Sequence, residues 1–133
     1  MKPRLISTLL LALVLALTTT HAAGKVGEWK RLGQKEASLR VDHDQITVGA
    51  REGAFKAIKL EVRNAGVEFL HLRVIYATGS DQNLEVRNKV RAGGQTRAID
   101  LDGRHRSLRK VLFTYRADRK TLKHPIVVLY GRR

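Results

Sequence analysis

The sequence predicts an all-β protein: a single antiparallel β-sandwich of about eight or nine short strands, jelly-roll-like or Ig-like, behind an N-terminal signal peptide. Three observations predict it. Apolar and polar residues alternate with period two in segment after segment, turn residues recur at short intervals between those segments, and no stretch after the leader has helical spacing.

Met1-Lys2-Pro3-Arg4 is a short basic stretch, and Leu5 to Leu17 is an apolar run broken only by Ser7 and Thr8. Small residues follow, with cleavage expected after Ala22 or Ala23, so residues 1–23 read as a signal peptide and 24–133 as one domain. The apolar run is shorter than the roughly 20 residues a membrane-spanning helix needs. Export to the periplasm or medium is therefore expected. The chain contains no cysteine, so its core must hold by burial alone.

Glu28 to Gly33, with Trp29 and Leu32, reads as a first strand. Glu36 to Asp42 reads as a second, with Ala37, Leu39 and Val41 set against Ser38 and Arg40. Asp42-His43-Asp44 is the expected bend into a third strand marked by Ile46 and Val48, and Arg51-Glu52-Gly53 turns into the best-patterned stretch. There Ile58, Leu60 and Val62 share one face, and Leu70, Leu72, Val74 and Tyr76 share another. A hairpin through Asn64-Ala65-Gly66, with Gly66 left-handed, would put Leu60 opposite Leu70 and Ile58 opposite Leu72. Leu60→Asp is then expected to unfold the domain.

Thr78-Gly79-Ser80-Asp81 is turn chemistry. Leu84, Val86 and Val90 come next on one face. Arg91-Ala92-Gly93-Gly94-Gln95 is a loop, Ile99 and Leu101 point inward, and Asp102-Gly103 turns again. Ser107 to Ala117 carries Val111, Phe113 and Tyr115 on one side, and Pro125 opens a last strand, Ile126 to Tyr130.

The charge pattern points to partners rather than to chemistry. Of 26 basic side chains, 24 remain without Lys2 and Arg4, against 12 acidic ones, a formal charge of +12. Such an excess favours anionic partners. On outward positions stand Lys59, Arg63, Arg73, Arg87, Lys89 and Arg91, the expected anion-binding residues, which share one face if their strands are neighbours. Arginine suits phosphate because its planar fork donates two parallel hydrogen bonds. Eight further basic residues lie between Arg104 and Lys123.

Catalytic patterns are weak by comparison. Asp42 and Asp44 point away from His43 on an extended chain, and His71, His105 and His124 lie in separate segments, so no metal site is expected. Ser38, Ser80 and Ser107 sit in no nucleophile motif. Glu61, Glu68 and Glu85 fall near one another in the expected sheet, where cross-strand ion pairing is their ordinary role. Gly93-Gly94 lacks the following helix and lysine of a phosphate loop and reads as a turn. Exposed aromatics for base stacking are scarce, with only Phe69 and Trp29 as candidates, which disfavours nucleic acid.

Leu32-Gly33 after the leader, the strand Ala57-Ile58-Lys59-Leu60, the block from Leu84 to Asp102 with its Ala92-Gly93-Gly94-Gln95-Thr96 turn, the strand Ser107 to Tyr115 and the closing Leu129-Tyr130-Gly131 form one pattern. In it the chain resembles the small exported YaaI-like bacterial proteins, a family of unknown function. The resemblance implies an exported β fold and brings no activity. The expected function is non-catalytic binding, without a cofactor or metal, of anionic envelope material such as lipopolysaccharide phosphates, lipid headgroups or a membrane surface. The alternative is an interaction module for another envelope protein, with the basic surface serving solubility.

Overall fold

A computed structural model describes residues 27–118, 120 and 122–133. The expected leader, residues 1–23, lies outside them. Among the described residues there are ten strands: β1 (Trp29–Glu36), β2 (Val41–Thr47), β3 (Ala54–Phe55), β4 (Ala57–Arg63), β5 (Val67–Tyr76), β6 (Asp81–Leu84), β7 (Asn88–Val90), β8 (Ile99–Asp100), β9 (Arg106–Ala117) and β10 (Ile126–Arg132). A single 3-10 turn, Ala50–Glu52, precedes β3.

The strands form two antiparallel sheets in a sandwich-like all-β fold. One has the order β1-β10-β4-β8; the other runs β2-β9-β5-β6, with β3 pairing β9 and β7 pairing β5. The inward rows of both sheets meet in one core that includes Leu60, Val62, Val127 and Leu129 from the first, and Leu72, Val74, Val111 and Phe113 from the second.

The expected central hairpin does not form. β4 and β5 belong to different sheets, so Leu60 lies opposite Leu129 and Ile58 opposite Gly131. The turn also differs, since Asn64 rather than Gly66 takes the left-handed conformation, at φ 71°. Alternation specifies which face of a strand is buried and leaves its neighbour open. Here β10 matches β4 along its whole length, from Ala57↔Arg132 to Arg63↔Ile126, and β9 runs beside β5 from Val67↔Ala117 to Tyr76↔Leu108. Crossing between sheets at residues 64–66 lets both long pairings form.

Two further local expectations give way. Between Phe69 and His71 the β5–β9 register shifts, which turns Phe69 into the core, fully buried, and leaves Leu70 half-buried outside the inward row. The expected second strand is instead the crossover that follows β1, and Asp42-His43-Asp44 lies inside β2 rather than in a bend. Tyr115 holds this stretch in place: its hydroxyl accepts the Ser38 N–H at 2.7 Å and donates to Asp44 Oδ2 at 2.7 Å. The tyrosine thereby ties the crossover to β2 and β9.

Candidate functional site

Register places the outward residues in cross-strand rows. On the six-stranded sheet these are Val41–Arg116–Glu68–Lys89, then His43–Thr114–His71, then Gln45–Leu112–Arg73–Asn83. On the four-stranded sheet they include Trp29–Arg132–Ala57, Arg31–Tyr130–Lys59 and Glu36–Ile126–Arg63. Neighbours within a row share a face, so these rows decide which cations act together.

The six expected anion-binding residues therefore do not form one face. Lys59 and Arg63 stand on the four-stranded sheet. Arg73 and Lys89 stand on the six-stranded sheet, with Arg87 exposed between β6 and β7 and Arg91 exposed just after β7. The shared face depended on β4 lying beside β5, which the crossover at residues 64–66 prevents. Two of the six already hold carboxylates: Arg63 Nε lies 2.6 Å from Glu61 Oε1, and Arg73 Nε 2.8 Å from Asp81 Oδ2. The hydrogen bond to Glu61 pushes the Arg63 guanidinium above its ordinary range, so it stays charged at any physiological pH.

Lys89 and Arg91 open onto a cleft of about 740 Å³ at one end of the six-stranded sheet, together with Arg116 and Lys120. Its floor is apolar, from Val67, Val90 and Ala117, and its two acidic residues are Glu68 and Asp118. Arg116 Nη1 reaches Glu68 Oε1 at 3.3 Å. Asp118 Oδ1 accepts the Lys120 N–H at 3.0 Å, and the Asp118 N–H donates to the Gly66 carbonyl at 3.0 Å. Both acids are thus engaged locally, and the four cations outnumber them. Gly66 matters here: a Cβ in its place would stand 3.3 Å from the Val90 carbonyl oxygen, tighter than ordinary contact.

Arg91 is fixed from behind. Gly94 N–H donates to the Arg91 carbonyl at 2.8 Å, and Gly93 N–H to the Val62 carbonyl at 2.7 Å, with Gly93 at φ +88°. The Gly93-Gly94 pair is accordingly a turn, and both of its amides are spent within the fold.

A family model described as Domain of unknown function (DUF2541) matches residues 7–131. The chain belongs to the DUF2541 family. No curated protein and no solved structure matches it.

In this DUF2541 chain the other sequence candidates disperse. Glu61 and Glu68 lie in different sheets, each paired with an arginine. His43 and His71 both pair with Thr114 and line a smaller hollow of about 410 Å³ with Arg73, Asp81 and Asn83. His71 Nε2 lies 3.2 Å from Asn83 Oδ1. Among the described residues no three His, Asp or Glu side chains gather as metal ligands. Sequence reasoning missed Arg116 and Lys120 as cleft residues. Arg116 was legible as outward because Tyr115 points in, but only the β5–β9 and β5–β7 pairings bring it level with Lys89.

Proposed function

We propose that this DUF2541 protein is an exported, non-catalytic binding module of the YaaI-like kind, periplasmic or secreted, that holds anionic envelope material through phosphate groups seated in the basic cleft. The observation that carries the reading is the convergence of Lys89, Arg91, Arg116 and Lys120 on one cleft whose two carboxylates already have partners. A phosphate entering there meets charged donors above an apolar floor, and arginine's fork matches its oxygens. The ligands in view are lipopolysaccharide phosphates and anionic lipid headgroups, which share that chemistry.

Successive strands that change sheets, from β1 to β2, β3 to β4, β4 to β5, β7 to β8, β8 to β9 and β9 to β10, support the jelly-roll-like form of the sandwich over the Ig-like one. Fold class alone selects no ligand, so the cleft carries the functional reading.

Calorimetric titration with inorganic phosphate and with lipopolysaccharide, at low and high salt, tests it. Binding to both is expected, weakening as salt shortens the Debye length to about 3 Å at 1 M. Lys89→Glu with Arg91→Glu should abolish it. Undiminished affinity in that variant removes the site. A second reading, docking of an envelope protein along a sheet edge, is favoured by Val41, which is 48% exposed at the start of edge strand β2. That mode predicts a saturable partner whose binding responds little to salt.

A further inference from the structure

The outer face of the four-stranded sheet carries a different arrangement of charge. Its cations are Arg31 on β1, Arg132 on β10, and Lys59 and Arg63 on β4. The face also carries three acids: Glu61, tied to Arg63; Glu36 of β1, 3.8 Å from His124 Nδ1; and the exposed Asp100 of β8, which pairs with Ala57 at the sheet's far edge. Among the described residues none of them pairs with Arg31, Lys59 or Arg132. Aromatic rings hold two of them instead. Lys59 Nζ sits 4.4 Å from the centre of the Trp29 ring and 5.6 Å from that of Tyr130, and the Arg132 guanidinium carbon 4.8 Å from the Trp29 ring. Arg31 donates to Gln34 beside it. On the opposite sheet the outward Arg73 and Arg116 are both bonded to carboxylates.

We infer that this face is a second site, which docks flat on an anionic lipid bilayer. The cations occupy three adjacent strands and so form a two-dimensional grid, which complements a plane of negative headgroups. Cation–π contact limits the rotamers of Lys59 and Arg132 before binding, so less entropy is lost when they meet phosphates. Trp29 and Tyr130 are half-buried, the amphipathic type of ring that settles at a membrane–water boundary, and the Lys59 ammonium lies over the faces of both. A linear polyanion read by stacking fits less well, because the cations already lie against the Trp29 ring. The cleft residues contribute nothing to this face, so the two sites succeed or fail separately.

Trp29 is the sole tryptophan, which makes it a reporter placed on the face itself. The protein, in the form the cell produces, is mixed with phosphatidylglycerol vesicles and with phosphatidylcholine vesicles, and its emission and acrylamide quenching are followed. The inference predicts a blue shift and reduced quenching with the anionic vesicles only, reversed by salt. Arg31→Glu with Arg132→Glu should weaken vesicle binding by about a hundredfold, since each cation near the surface contributes to attraction. The same variant should leave cleft affinity for inorganic phosphate unchanged. Vesicle binding with unaltered Trp29 emission overturns the inference, as does equal binding to both lipids, no binding, or a Trp29 response to single-stranded DNA in place of vesicles. The fluorescence result needs no variant, so a double variant that folds poorly does not decide the matter.

Discussion

Gly131→Ala tests how tightly the two sheets close. Gly131 lies in β10 between Lys30 of β1 and Ile58 of β4, on the inward side. A Cβ there would stand 2.7 Å from Phe55 Cδ1, 2.9 Å from Phe55 Cγ and 2.9 Å from Leu32 Cδ1, closer than carbon atoms approach without something moving. Phe55 is fully buried in β3, with the Arg133 guanidinium carbon 5.7 Å from the centre of its ring, so the ring cannot swing into solvent without losing its burial. Overpacking of this kind costs about 1–3 kcal/mol. Replacing a strand glycine by alanine returns about 0.5–1 kcal/mol of backbone entropy. The net expectation is a loss of about 1–2 kcal/mol, and at about 4–8 °C per kcal/mol for a domain of this size the melting temperature should fall by about 4–16 °C. Thermal unfolding followed by circular dichroism measures it. Gly49→Ala, where an added Cβ meets nothing within 4 Å and φ is not positive, is the control and should melt at or a few degrees above the parent's temperature. A Gly131→Ala protein as stable as the parent would refute the packing of Phe55 and Leu32 over β10.

Thr96 is a buried polar residue whose Oγ1 accepts the Leu60 N–H at 3.0 Å and donates to the Arg97 carbonyl at 2.9 Å. Thr96→Val leaves the Leu60 amide without its partner and should cost about 1–3 kcal/mol, read as a lower urea midpoint at constant slope, whereas Thr96→Ser should cost less. Burial pushes the phenols of Tyr76 and Tyr115 above the ordinary tyrosine range. Between the unfolded and folded values the unfolded state has lost protons that the folded state keeps, so stability should hold below a pH of about 10 and fall above it. Tyr115→Phe should flatten that alkaline decline while lowering stability at neutral pH, through loss of its bonds to Ser38 and Asp44. Leu60→Asp should unfold the domain outright, because Leu60 has no solvent-exposed surface and a carboxylate there would have no cationic partner; a cooperative melt near the parent's would contradict that.

Much of this was legible in the chain, and the part that was not has two causes, long-range pairing and a register shift. Period-two alternation correctly assigned Ile58, Leu60, Val62, Leu72, Val74, Val111, Phe113 and Tyr115 to the core. The turns at Gly79, Gly93 and Gly103 also stand where glycine spacing put them, each with positive φ. Alternation is a property of one strand, however, and sheet membership belongs to pairs distant in sequence. Leu60 and Leu129 lie on strands that no turn connects, so nothing local announced that β10 rather than β5 is the neighbour of β4. The same gap divided the six basic residues between two sheets. It also hid that Arg116 is level with Lys89 across β5, and that Trp29 of β1 meets Lys59 of β4 across β10. Phe69 was misread because the β5–β9 register shift changes the face that alternation assigns.

Backbone amide chemical-shift mapping during a titration with inorganic phosphate addresses the cleft most directly. Saturable shifts gathered at Gly66, Lys89, Val90, Arg91, Arg116 and Asp118, and suppressed by salt, are the predicted result. Shifts spread evenly over the basic surface, or centred on Arg73 and Arg87, would mean that phosphate does not single out the cleft and would contradict the proposed function.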